Sequence, residues 1–289
     1  MKYKKPQVIA EIGCNHAGNI SLAKKLIDVA ALSGATYAKF QKRNNKYLLK
    51  DDYNKPHPNP TNSFGSSYGK HREFLEFSVP QHYLLFKHCQ KRKIKYATSV
   101  WEVKSAESIV KSKINLDYLK IPSACNLDFE LLEYLVKKFD NKIHLSLGMT
   151  SSNEISRIVE FFIKYNRNKD LILYSCTSDY PVDFKNICLL EINKLKDKYS
   201  KIVDTIAFSG HHLGISVDIA AYTLGAHLVE RHFTLDRTMK GTDHSASLEP
   251  EGLRKLVRNL KTTYLSLKEK DGILNCEKFQ RKKLKRKIK

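Results

Sequence analysis

The chain has 289 residues, 42% hydrophobic and 28% charged, with 12 Gly and 8 Pro, which excludes collagen-like or wholly disordered chains and leaves room for one large domain or two small ones. Lys and Arg number 51 against 30 Asp and Glu, a formal charge of +21, yet no zinc-finger, RNP or helix-turn-helix signature accompanies it and no nucleic-acid partner is expected. No stretch approaches the ~20 apolar residues that span a bilayer, and 1–6 run straight into a strand-like segment with no signal-peptide core, so a cytoplasmic protein without a membrane partner is expected.

Short β-branched or aromatic runs predict strands at 7–13, 35–41, 93–100, 116–122, 142–148, 170–176, 203–209 and 226–233. Helical periodicity alternates with them at 21–33, 80–92, 103–113, 127–139, 153–165, 186–199 and 216–224, and a closing helix covers 250–268. Ser21 is the expected cap of the first helix, and Asp183 or Asn186 of another. Eight βα repeats in about 250 residues is the size of a closed (β/α)8 TIM barrel of the α/β class. An open doubly wound sheet is weakened by the lack of G-x-G-x-x-G after the first strand. The barrel is assigned to 1–272 and a polar, basic tail to 273–289; the run 281–289 carries seven of the positive charges and leaves +14 spread over the body. That diffuse excess reads first as a solvated lysine surface and second as an attractor of anionic small molecules. Six cysteines (Cys14, Cys89, Cys125, Cys176, Cys188 and Cys276) form no C-x-x-C pair and read as reduced thiols.

Residues 42–78 break the rhythm with Pro56, Pro58, Pro60 and the run from Ser63 to Gly69. A long structureless insertion leaving the C-terminal end of strand 2 is expected to cover a substrate. Barrel enzymes keep their chemistry at the C-terminal ends of the strands. There the chain has Glu11, Lys39 with Gln41, Thr98 with Ser99, Lys120 with Ser123, Ser146, Thr177 with Ser178 and Tyr180, Ser209 with His211 and His212, and Glu230 with His232. Lysines inside apolar strands are costly to bury unpaired, so Lys39 and Lys120 call for an anion, and with the hydroxyls they suit phosphate and carboxylate. His211 and His232 end strands that would be neighbours; they read either as structural imidazoles or as ligands of a divalent metal, with His212 a weaker candidate.

The segments IAEIGCNHAG (9–18), ATYAKFQ (35–41), LKIPSA (119–124), LSLGM (145–149), CTSDYP (176–181), ERHFTLD (230–236) and SASLE (245–249) together resemble the sialic acid synthase family, in order and over nearly the whole chain. The resemblance implies a (β/α)8 barrel that condenses phosphoenolpyruvate with an open-chain N-acyl amino sugar, N-acetylmannosamine or a relative, to give a nonulosonic acid and phosphate. It implies a divalent metal, Mn2+ with Mg2+ or Co2+ as alternatives, on His211 and His232, which polarises the aldehyde. Lys39, Thr98, Lys120, Ser123, Ser146 and Ser209 would hold phosphoenolpyruvate, and Gln41, Tyr180, Asp243 and Glu230 would face the sugar. Glu11 would move the proton, and His232 is counted with it among the catalytic residues.

Two departures stand out. Family members commonly have an acidic residue where this chain has Gly210, and many continue into an antifreeze-like domain, expected to be lacking here, that reaches the partner's sugar pocket across a homodimer. A shorter subgroup with a Val-Trp-acid segment, matched by Val100-Trp101-Glu102, shares both features; whether it dimerises is open. Two other readings remain: a Schiff-base aldolase with Lys120 as the nucleophile, and a noncatalytic sugar- or nucleic-acid-binding protein.

Overall fold

The structure, a computed structural model, describes residues 3–286; residues 1–2 and the last three of the basic run, 287–289, lie outside it. Eight parallel strands close into a barrel in sequence order: β1 (Gln7–Gly13), β2 (Tyr37–Lys42), β3 (Lys95–Val100), β4 (Tyr118–Ile121), β5 (Lys142–Ser146), β6 (Leu171–Ser175), β7 (Thr205–Gly210) and β8 (Leu228–His232). β1 pairs with both β2 and β8, which rules out the open sheet. The helices are α1 (Ile20–Leu32), α2 (Asn45–Leu49), α3 (Tyr68–Leu75), α4 (Val79–Arg92), α5 (Val103–Val110), α6 (Phe129–Lys138), α7 (Ser152–Lys164), α8 (Glu191–Tyr199), α9 (Ser216–Thr223), α10 (Pro250–Ser266) and α11 (Asn275–Leu284).

Side chains alternate across a strand with period two, and here the alternation separates two cores. Val8, Ala10 and Ile12 of β1 join the large outer core under the helices, whereas Ile9 joins Tyr37, Ala97, Tyr118, Ile172, Tyr174, Ala207 and Leu228 inside the barrel. These inner residues fill the floor, with His144 stacked on Tyr118 and bonded to the Tyr174 hydroxyl, so the barrel is a packed core rather than a pore. The helices supply the matching stripe: α7 buries Ile155, Ile158, Val159 and Phe162 at helical spacing. Its start is set by a capping box between Ser151 and Glu154.

Three local expectations are corrected. Asn19, not Ser21, caps α1: its Oδ1 accepts from the Ser21 and Leu22 amides at 2.8 and 3.0 Å, because the chain turns into the helix two residues earlier. Asp183 caps a 3-10 turn, Phe184–Asn186, rather than α8. The insertion is not structureless, since it folds into α2 and α3. Gly69 admits the ring of Tyr53 so closely that a Cβ there would lie 2.4 Å from it. The basic tail contains α11, which buries no residue.

Between barrel and helices, Arg231 Nη1 pairs with Asp218 Oδ2 of α9 at 2.5 Å, and His212 Nε2 lies 3.3 Å from the same oxygen, all with side chains fully buried. A buried cation that loses its counter-charge is strongly destabilising. Asp218→Asn is therefore expected to lower the unfolding free energy by roughly 3–5 kcal/mol in urea titrations; a loss below ~1 kcal/mol would show that this pair behaves like a solvated one.

Candidate active site

Strand register builds the site. Glu11 lies beside Lys39 in the β1–β2 ladder and beside His232 in the β1–β8 ladder. Gln41 pairs with Ser99, Ser99 with Lys120, and Ser209 with Glu230. All of these side chains share the inward phase, in the layers above the floor. They line a cavity of about 370 Å³ together with Ser123, Ser146, Tyr180, His211 and Asp243, a volume suited to small ligands.

Its base is a chain of alternating charge. Lys39 Nζ sits 2.6 Å from Glu11 Oε2 and 3.5 Å from Glu230 Oε1. Lys120 Nζ donates to both Glu230 oxygens at 3.3 Å and lies 3.4 Å from the Tyr174 ring centroid. Burial is the largest influence on both lysines and pulls each down. For Lys39 the two carboxylates outweigh it and raise the ammonium above the usual lysine range. For Lys120, burial prevails over Glu230, with Lys39 repelling, and its value falls. Burial by itself favours protonated Glu230, but Lys120 and then Lys39 hold its carboxyl at about 2. Ser209 donates to Glu230 at 3.4 Å, and Ser123 accepts from the Gly148 amide at 3.0 Å. The result is two cations and several hydroxyls around one void.

Opposite stand two imidazoles. The rings of His211 and His232 are 5.5 Å apart, and Tyr180 packs 4.2 Å from the first and 5.9 Å from the second. His211 Nδ1–H donates to the Thr177 carbonyl at 2.7 Å, which leaves Nε2 with its lone pair. Burial, then the neighbouring His232, pushes the His211 ring down to about 3, so it is neutral near pH 7. His232 Nδ1 is buried without a hydrogen-bond partner and lies 3.9 Å from Asp243 Oδ2. An orphaned ring nitrogen beside a second imidazole with a free lone pair is a donor set that suits a borderline divalent ion. Among the described residues no three His, Cys, Asp or Glu side chains form a ready metal cluster; two imidazoles would leave the other positions to water and substrate.

Most residues named from the sequence thus meet in one cavity, with two exceptions, Thr98 and His212. Thr98 is fully buried in the outward phase with Tyr96 and Val100, and its hydroxyl donates to the Ser99 carbonyl; Ser99 takes the inward place. Glu230 lines the cavity at its base, where both its oxygens are engaged by lysines. His212 is held by Arg231 and Asp218 outside the barrel. The same histidine explains Gly210: a Cβ there would lie 2.7 Å from His212 Cε1, so an acidic side chain at 210 would have to displace that ring.

Sequence reasoning missed Trp101 and Arg72, which also line the cavity. Arg43, beside it, lies 3.6 Å over the Trp101 ring and donates to Gln41 Oε1 at 2.6 Å. This orients the Gln41 amide to donate to Glu11 at 2.9 Å.

With this geometry in hand, the comparisons with known proteins decide the family. The NeuB family model matches residues 26–272. The chain belongs to the NeuB family. It is 35% identical over 264 residues to the N-acetylneuraminate-9-phosphate synthase of Drosophila melanogaster, covering 90% of this chain and 68% of that protein. It is 34% identical to the N,N'-diacetyllegionaminic acid synthase of Campylobacter jejuni, covering 97% and 82%. The solved N-acetylneuraminic acid synthetase of Leptospira borgpetersenii, crystallised with citrate, superposes with a TM-score of 0.80 at 30% identity, covering 98% and 94%. Like this NeuB chain, that protein is matched nearly end to end.

Proposed function

We propose that this NeuB protein condenses phosphoenolpyruvate with an open-chain N-acyl amino sugar, forming a nonulosonic acid and inorganic phosphate. One observation carries the reading: an anion cradle of Lys39, Lys120 and serines faces the imidazole pair His211 and His232 across a single cavity. Lys39 and Lys120 hold the phosphate and carboxylate as point charges, and Ser99, Ser123, Ser146 and Ser209 supply hydroxyl donors. An anion on Lys39 competes with Glu11 for its ammonium and releases the Glu11 carboxylate to act as a base. The enol C3 attacks the aldehyde carbon while water adds to C2; Glu11 takes one proton from that water and returns it to the former aldehyde oxygen, and as the C2–O bond to the phosphorus-bearing oxygen breaks, the C2 hydroxyl becomes the ketone and its proton leaves with phosphate. Gln41, Tyr180 and Asp243 orient the sugar so that its aldehyde meets C3.

His211 and His232 would hold a divalent ion, Mn2+ first, with Mg2+ or Co2+ as alternatives. When bound there, it supplies Lewis-acid polarisation of the aldehyde oxygen. We place the enzyme in the cytoplasm, since six cysteines that are free thiols suit a reducing compartment; no helix of the described residues is long and apolar enough to cross a membrane.

The Schiff-base alternative is disfavoured by Lys120 itself, whose nitrogen is held by the Glu230 carboxylate and is not presented to a carbonyl. Chelation, and separately His211→Ala, is expected to reduce sugar-dependent phosphate release at least 100-fold, with no adduct after borohydride and pyruvate. Chelator-resistant turnover with a borohydride adduct on Lys120 would establish the aldolase instead.

A further inference from the structure

The cations around the mouth differ in what they are already doing. Lys39 and Lys120 face carboxylates, Lys42 is bound by Glu76 at 2.5 Å, and Arg43 is stacked on Trp101 and bonded to Gln41. Among the described residues the three lysines are ion-paired whereas Arg43 and Arg72 are not, and of these two arginines it is Arg72 that lines the cavity. Its Nε and Nη2 both donate to one neutral acceptor, the Tyr68 hydroxyl, at 3.2 and 2.9 Å. A guanidinium has five N–H donors in a rigid fork, so that bond fixes its plane and leaves the rest of the fork unspent.

Its support is firm. The first turn of α3 is tied to the preceding segment by the Tyr68 and Gly69 amides, which donate to the Lys55 and Tyr53 carbonyls at 2.8 Å each. The other end is tied to β2 through Glu76, which accepts from Lys42 and from the Arg43 amide. Arg72 is thereby presented to the cavity from the β1–β2–β8 side, where Asp243 feels its charge. That side carries Gln41 and Asp243, while Ser123, in the turn after β4, and Ser146, at the end of β5, stand across the barrel.

Resting on the reading above, we propose that Arg72 is a specificity-determining residue for the aldehyde substrate, donating to acceptor oxygens of the sugar other than the aldehyde oxygen. The chemistry is that of an acyl carbonyl or a terminal phosphate ester, each able to accept from a fork of N–H groups. The insertion of residues 42–78 thus selects the sugar rather than merely covering it.

Steady-state kinetics of the wild type, R72A and R72K, with phosphoenolpyruvate, Mn2+ and three sugars (N-acetylmannosamine, its terminal phosphate ester, and unacylated mannosamine), tests this. R72A is expected to raise KM about 10- to 100-fold for the sugar carrying the recognised group, to leave the KM for phosphoenolpyruvate within twofold, and to be partly rescued by R72K. Whichever arm suffers identifies the group. An equal loss on all three sugars, a matching rise in the KM for phosphoenolpyruvate, or no change would overturn the proposal. Equilibrium binding of the same sugars with inorganic phosphate in place of phosphoenolpyruvate separates the two readings, because no turnover can occur. There, selective loss of affinity in R72A upholds the Arg72 contact even if no sugar is turned over, and unchanged affinity refutes it.

Discussion

Replacing Glu11 by Gln is expected to lower kcat by about 10²- to 10⁴-fold while the KM for phosphoenolpyruvate changes by no more than a few-fold. The amide keeps the shape of the carboxylate and can still accept from Gln41, so the architecture of the site survives. What disappears is the capacity to take a proton. Lys39 retains Glu230 at 3.5 Å as a counter-charge, so the cradle for the enol ester keeps its cations. A split in which kcat falls and KM holds is the signature of a group acting only in the transition state. If kcat fell less than tenfold, Glu11 would be no more than the counter-ion of Lys39 and the base would lie elsewhere.

Glu230→Gln should act on the opposite quantity. Glu230 lies between two buried ammonium groups, and removing its charge leaves Lys120 without a carboxylate. The expected loss is roughly 3–5 kcal/mol in unfolding free energy at pH 7. The pH dependence follows from the direction of the shift. The Glu230 carboxyl lies at about 2 in the folded protein against an ordinary 4.5, so its contribution is complete above pH 4.5 and fades as the pH falls toward 2. Urea titrations at several pH values should therefore show the wild type and the variant converging at low pH. Added phosphate should recover part of the variant's deficit, since an anion can stand where the carboxylate stood. A difference below ~1 kcal/mol, or one independent of pH between 2 and 5, would mean that the lysines are not held together by this charge.

The barrel was legible because each strand is short and apolar and each is followed by a helical stripe; the strand-to-helix alternation needs no tertiary information. Strand starts were drawn two residues early at β2 and β3 because residues 35 and 94 are apolar yet bond back to the preceding helices: the Ala35 amide donates to Ala30 and that of Ile94 to Cys89. The site was readable where a charge interrupts an apolar strand, as at Lys39 and Lys120. Thr98 and Ser99 could not be told apart, since adjacent hydroxyls differ only in the phase set by pairing with β2. Nothing local marks Arg72, whose place depends on how α3 docks on Tyr53 and Lys55. The ion pairs of Glu230 were not readable, because its partners Lys39 and Lys120 sit on β2 and β4, far away in sequence. Gly210 looked like a lost carboxylate, and only the position of the His212 ring accounts for it.

The most direct test is product analysis. Purified protein incubated with phosphoenolpyruvate, Mn2+ and a panel of N-acyl amino sugars should release one phosphate per molecule of a new 2-keto acid, whose mass is that of the sugar plus phosphoenolpyruvate and water, less phosphoric acid. Phosphate release no greater than in the sugar-free control across the whole panel, or pyruvate as the sole organic product, would contradict it.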